Sequence, residues 1–226
     1  MQIASILDAI QRKIQDDSYS RQDDLLPLVN EGLGVIATEA PLPGLFTIKD
    51  DFSCPSGTHT VALPDDYGNW LKHAYNLTRK TRVRLYGSVT ELMEHYPALD
   101  ASAPVCAAAV YGNVLYVQGV PTSAETLQIA YYAKPTMFSE SVSDVSYLPE
   151  HLQQPLLVNY VCKEVYNEIE DGVEGLKVNW NTYQKRFEAA MGKLYAHIGQ
   201  TPQVPEIVQR TPEEITTDAW LIDEVP

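Results

Sequence analysis

The sequence predicts an α+β protein: an antiparallel helical bundle built from both ends of the chain, an inserted and mainly antiparallel β region, and an extended C-terminal arm. Three observations carry this. Apolar residues recur at three- and four-residue spacing near the start and again from Leu152 onward, which is the period of a buried helix face. Between them the pattern becomes short runs of β-branched and aromatic residues separated by turn chemistry. Beyond Gly199 the chain carries Pro202, Pro205, Pro212 and Pro226 and six carboxylates with Arg210 alone as counterweight, so it makes no core of its own. The divisions are therefore 1–44 with 136–199 for the bundle, 45–135 for the β region, and 200–226 for an acidic arm. No internal repeat is visible.

Taken in order, Ile3, Ile6, Leu7, Ile10 and Ile14 lie on one face of a first helix, with Gln11, Arg12 and Gln15 outside. A polar link from Asp16 to Gln22 leads to Asp23 or Asp24 as the cap of a second helix. That helix holds Pro27 in its first turn and Leu25, Leu28, Val29, Val35 and Ile36 on its buried side. Gly32 and Gly34 weaken it, and Pro41, Pro43 and Gly44 stop it. Strands are expected at Phe46–Ile48, His59–Leu63, Trp70–Leu77, Thr81–Leu85, Val105–Tyr111, Val114–Gln118 and Thr126–Tyr132. Gly112 and Asn113 join two of them in a hairpin, because both residues accept the positive φ of a two-residue turn. Ser88 followed by Glu91 is a capping box opening a short helix with Leu92 and Met93.

Leu152, Leu156, Leu157, Val161, Val165 and Ile169 then form one broad stripe on a long helix, with Pro155 placed in its first turn. Asp171 to Gly175 makes a turn, and Trp180, Tyr183, Phe187, Met191, Leu194 and Ile198 repeat along the last helix. The stripe is wider than one antiparallel partner covers, so Val161, Val165 and Ile169 are expected to meet a neighbouring subunit. Tyr131 and Tyr132 face opposite sides of one strand, leaving Tyr132 as the candidate for a partner contact.

Composition narrows the function. Thirty Asp and Glu against sixteen Lys and Arg give a net charge of −14, which argues against a protein that grips nucleic acid through a basic patch. The longest apolar run, Val105 to Tyr111, is far short of the roughly 20 residues of a membrane helix, and the N-terminus has no signal-peptide pattern. Cys54, Cys106 and Cys162 are too far apart for a CxxC site and read as buried thiols of a protein made in a reducing compartment. The five histidines are dispersed, with no HExxH, and no phosphate-cradling or nucleophile-elbow motif is present. Ser56 reads as a turn residue, the aspartate pairs as caps, and the Asn76-Leu77-Thr78 sequon as accidental. No catalytic residue, metal ligand or cofactor site is predicted.

Five weak motifs occur in a telling order: Leu28-Val29-Asn30; Val61-Ala62-Leu63-Pro64-Asp65-Asp66-Tyr67; Gly112-Asn113-Val114-Leu115-Tyr116 leading to Val120-Pro121; Tyr131-Tyr132-Ala133-Lys134-Pro135; and Tyr147-Leu148-Pro149-Glu150-His151-Leu152. In that order the chain resembles the head-to-tail adaptor proteins of tailed bacteriophages over most of residues 1–198. The resemblance implies a non-enzymatic virion protein of the neck, assembled in the host cytoplasm. It implies a twelve-subunit ring of the protein with itself, bound to the portal protein on one side and the next tail or nozzle component on the other. Double-stranded DNA would pass through without specific binding, and no membrane is involved. On this expectation the Gly112-Asn113 tip meets the tail, and Trp220, Leu221 and Ile222 anchor the arm on the portal or a neighbour. The tail tubular proteins of short-tailed phages share the same mix of helices and sheet and stay open as an alternative. A cell-wall polysaccharide hydrolase would need a carboxylate pair that no motif singles out.

Overall fold

The computed structural model describes residues 2–16, 18–139, 144, 147–170 and 177–199. The first helix, α1, spans Ile3–Ile14 with Ile6, Leu7, Ile10 and Ile14 buried as their spacing requires. The cap of the next element is Ser20, not an aspartate: its Oγ accepts from Asp23 N at 3.3 Å, and the Asp24 carboxylate accepts from Ser20 N at 2.7 Å. A π turn over Arg21–Leu25 follows and runs into α2, Leu26–Glu39. Leu25, Val29, Leu33 and Ile36 form its buried face, whereas Leu28 and Val35 are only half-buried at the margin.

The two glycines of α2 have different reasons to exist. A Cβ on Gly32 would lie 2.7 Å from Cδ1 of Tyr160, so the glycine lets a buried ring sit against the helix backbone. Gly34 has no atom within 4 Å of that position.

The chain then forms eight strands among the described residues: β1 Phe46–Cys54, β2 Thr60–Ala62, β3 Tyr67–Asn76, β4 Thr81–Arg82, β5 Arg84–Tyr86, β6 Ala107–Tyr111, β7 Val114–Gln118 and β8 Glu125–Ala133. They make two four-stranded sheets, ordered β1-β8-β3-β4 and β2-β7-β6-β5. One apolar cluster draws on both, from Phe52 and Cys54 through Ala74, Val83, Leu115 and Val117 to Leu127, Ile129 and Tyr131. The pairing is antiparallel except for β5 with β6, which are parallel and joined through the short helix α3, Val89–His95. Ser88 Oγ caps α3 by accepting from Glu91 N at 3.1 Å. The apolar run around Ala107, Ala108 and Ala109 is buried on both faces: Ala108 meets the shared core, while Ala107 and Ala109 meet Leu92 of α3.

The sheets depart from expectation in three places. β1 continues through Asp50 and Asp51 to Cys54, with a register shift between Lys49 and Phe52. It is an edge strand, so its aspartates stand in solvent, where Asp50 accepts from Gln128 Nε2 at 2.7 Å. The expected strand Thr81–Leu85 is split at Val83, which is 1% exposed in the common core and lets Arg82 pair in one sheet and Arg84 in the other. At the hairpin, Tyr111 faces Val114 and only Gly112 has positive φ, +61°, the pattern of a type II′ turn in which Asn113 needs no special conformation.

The two long helices are α4, Glu150–Ile169, and α5, Val178–His197. His151 meets His197, Tyr160 meets Phe187 and Tyr166 stacks on Tyr183, so contacts advance along α4 as they retreat along α5 and the pair is antiparallel. Pro155 lies in the second turn of α4 rather than the first, and Asn159 Nδ2 donates to its carbonyl at 2.6 Å. α1, α2, α4 and α5 share one apolar cluster that joins residues 6–45 to residues 138–194. The expected turn at 171–175 and the whole arm lie outside the described residues.

Candidate assembly surfaces

The stripe on α4 is wide because α1, α2 and α5 all pack on it within one chain. Val161 and Val165 are 0% and 1% exposed, leaving no side-chain surface for a neighbour. Ile169 is 43% exposed and Val178, at the start of α5, 63%, so the end of the α4–α5 pair carries the open apolar surface.

Tyr132 is half-buried against the helical cluster, edge-on to Phe46 at 5.5 Å and to Trp70 at 5.6 Å between ring centroids. It thereby joins the sheet to the helical bundle through its buried half. Tyr131, on the other face, is 0% exposed and its hydroxyl donates to Asp66 Oδ1 at 2.7 Å. Burial, then Asp66, pushes its pKa above the usual tyrosine range.

Four of the five weak motifs are tied to the chain as it returns from sheet to bundle. Asn30 holds the returning chain through two hydrogen bonds, its Nδ2 donating to Phe138 O at 3.0 Å and its Oδ1 accepting from Phe138 N at 2.8 Å. The Asp65-Asp66 turn accepts from Tyr131, from Lys134 N at 2.7 Å and from Lys134 Nζ at 2.9 Å, tying the Leu-Pro-Asp segment to the Tyr-Tyr-x-x-Pro strand. Tyr147 donates to Thr136 O at 2.7 Å, and Pro149 O accepts from Leu152 N and Gln153 N in the first turn of α4. These four motifs fix where the chain passes between bundle and sheets, whereas Gly112-Asn113 turns a hairpin away from that passage.

The hairpin tip is open: Gly112 and Asn113 are exposed beside Tyr111, 71% exposed. Trp220, Leu221 and Ile222 lie outside the described residues.

Within the sheets, Glu125 is fully buried and accepts from Asn76 Nδ2 at 2.6 Å, Arg79 Nε at 2.7 Å and Val105 N at 3.1 Å. Burial works to raise its pKa, but Arg79, Val105 and Asn76 outweigh it and hold the carboxyl below its usual range. Asn76 is itself 0% exposed, which closes its sequon to modification in the folded protein. Cys54 and Cys162 are buried as expected, and burial raises their thiols to about 11 and about 12. Cys106 is exposed and donates to Gln118 Oε1 at 2.7 Å, because Cys106 precedes β6 and falls outside its covered faces.

One surface runs against the net charge. From Tyr67 to Thr90 there is no carboxylate, while Lys72, Arg79, Lys80, Arg82 and Arg84 fall in that stretch. Lys72 and His73 on β3, Arg82 on β4 and Arg84 on β5 line a cleft of about 440 Å³ where the edges of the two sheets meet. The signal was legible as the alternation Arg79-Lys80-Thr81-Arg82-Val83-Arg84, but it was averaged away in the net charge.

Among the described residues no group of three or more His, Cys, Asp or Glu side chains is arranged to hold a metal, and no helix is long and apolar enough to cross a membrane. The model of the SU10 adaptor protein family matches residues 1–209. The chain belongs to the SU10 adaptor protein family. This is a family of structural phage adaptors, in agreement with the order of motifs. The family match runs past Gly199 into the first residues of the arm, further than the resemblance reached. No curated protein matches the adaptor.

Proposed function

We propose that this adaptor forms a twelve-subunit ring beneath the portal, joins the capsid to the tail, and leaves a channel for the DNA. The family match over residues 1–209 carries the reading, and the separation of one helical core from one β core supports a division of labour between them. In this reading the bundle, 1–44 with 136–199, makes the ring and meets the portal. The apolar surface at Ile169 and Val178 is its contact with a neighbour. The β region, 45–135, projects toward the next tail component, and the Gly112-Asn113 tip with exposed Tyr111 provides the contact. An acidic channel wall lets duplex DNA slide past, since phosphate binding needs cations that displace counterions.

The test is the mass and shape of the protein alone and mixed with portal. A ring of about 300 kDa, twelve times the 25.2 kDa chain, seen face-on in negative stain and stacked on portal, is the expected result. Monomers or dimers that leave portal unchanged would overturn it. Removing Gly112 and Asn113 should spare portal binding and weaken tail attachment; the opposite pattern would reverse the two ends.

A further inference from the structure

The cleft at the meeting of the two sheets is a built cationic site in an acidic protein. Among the described residues, the ion pairs are Arg21 with Asp8, Arg79 with Glu125 and Lys163 with Glu164, so Lys72, Arg82 and Arg84 have no carboxylate within reach. Their geometry is fixed: Arg82 pairs with Tyr75, Arg84 with Ala107, and Val83 N donates to Ala74 O at 3.0 Å. Arg82 and Arg84 are thus set on paired strands and Lys72 stands beside them where β3 shifts its register against β8, three exposed cations against a surface that carries nearly two carboxylates for every cation. The site also has an apolar part. A second hollow of about 390 Å³ adjoins the first at Lys72 and Leu85 and is lined by Trp70, Leu71, Tyr86 and Val110. Lys72 Nζ lies 5.7 Å from the Trp70 ring and the Arg84 guanidinium 5.1 Å from the Tyr86 ring.

A ligand for this surface should alternate negative charge with apolar groups, and the chain's own arm does so. Residues 200–226 hold Glu206, Glu213, Glu214, Asp218, Asp223 and Glu224 against Arg210 alone, with Trp220, Leu221 and Ile222 set between Asp218 and Asp223. The arm also starts nearby. Tyr195 OH near the end of α5 donates to Glu39 O at the end of α2, and Asn69 Nδ2 at the start of β3 donates to Ala37 O in the same turn. Lys72 is three residues beyond Asn69, so at most about 10 Å away along the chain. From Gly199 to Trp220 an extended chain spans up to roughly 70 Å, so reach does not limit the contact within one subunit or between neighbours. We propose that the Lys72–Arg82–Arg84 cleft is the docking site of the acidic arm, with carboxylates on the cations and Trp220 against the aromatic hollow.

Zero-length carbodiimide coupling on the full chain tests this, since it joins the Lys72 amine only to a carboxylate in contact with it. Mass spectrometry of the digest should find Lys72 joined to one of the six arm carboxylates. The yield should fall at least roughly fivefold in about 0.5 M salt and in the R82E/R84E variant. Both arginines are exposed strand residues, and an unchanged circular dichroism spectrum checks that the variant folds. Coupling in mixed-isotope samples, whether within or between chains, supports the proposal alike. Lys72 left uncoupled, or coupled only to carboxylates outside the arm, overturns it. So does tight, salt-sensitive binding of a 30-base-pair duplex that is lost in R82E/R84E while no arm coupling is found, which would make the cleft a phosphate site.

Discussion

Glutamine at position 125 removes a charge from the centre of the β region while keeping the shape of the side chain. In the native protein Oε2 accepts from Asn76 Nδ2 and Val105 N, and Oε1 accepts from Arg79 Nε. A glutamine has one acceptor oxygen. The less costly arrangement keeps it on Asn76 and Val105 and turns its amide toward Arg79, whose side chain is 42% exposed and can swing into water. The Arg79 pair is therefore discounted for solvent to at most about 1 kcal/mol. The two remaining bonds each lose about 1 kcal/mol as they change from charge-assisted to neutral. Glu125→Gln should thus cost about 2–3 kcal/mol, a fall in Tm of roughly 4–12 °C.

The pH dependence has a definite sign. Because the folded carboxyl titrates below the ordinary glutamate value of 4.5, its stabilisation is complete above that value and is lost as pH falls through the lower folded pKa. Denaturant unfolding at pH 7, 4 and 3 should show the gap between native and variant narrowing below pH 4.5. Hydrogen exchange should show faster loss of protection at the Val105 amide. A variant within about 0.5 kcal/mol of native at pH 7, or a gap unchanged down to pH 3, would refute the assignment of Glu125 as the charged hub of this network.

Gly34→Ala should stabilise the protein by about 0.5–1 kcal/mol through helix propensity, since the new methyl meets nothing, whereas Gly32→Ala should destabilise it by about 1–3 kcal/mol by pushing on the Tyr160 ring; thermal melts of the two variants compare them directly. Val161→Asp buries an unpaired charge at a 0% exposed position, so loss of the folded helical core, read as more than about 4 kcal/mol or no soluble protein, is expected, and normal rings of unchanged Tm would contradict it. In the native state a thiol reagent should label Cys106 first and leave Cys54 and Cys162 untouched until denaturant is added, as peptide mass spectrometry would show.

Much of the fold was written locally. The period of Ile3 to Ile14, the Ser88–Glu91 cap and the Gly112-Asn113 turn depend on neighbours a few residues away, and each formed where its pattern placed it. The family resemblance was legible too, because the Leu-Pro-Asp, Tyr-Tyr-x-x-Pro and Tyr-Leu-Pro segments bond the passages between bundle and sheets, and such contacts demand particular residues in a particular order. What the sequence left open was what each surface meets. A wide stripe on α4 has the same pattern whether it is covered by a neighbouring subunit or by α1, α2 and α5 of its own chain, and only the packing decided for the latter at Val161 and Val165. The basic cleft is a tertiary property for the same reason. Lys72, Arg82 and Arg84 belong to three strands in two sheets, and the burial of Val83 between the sheets brings their charges to one edge. Net charge sums over the whole chain, whereas the potential a partner feels is set by the few charges that the fold holds together.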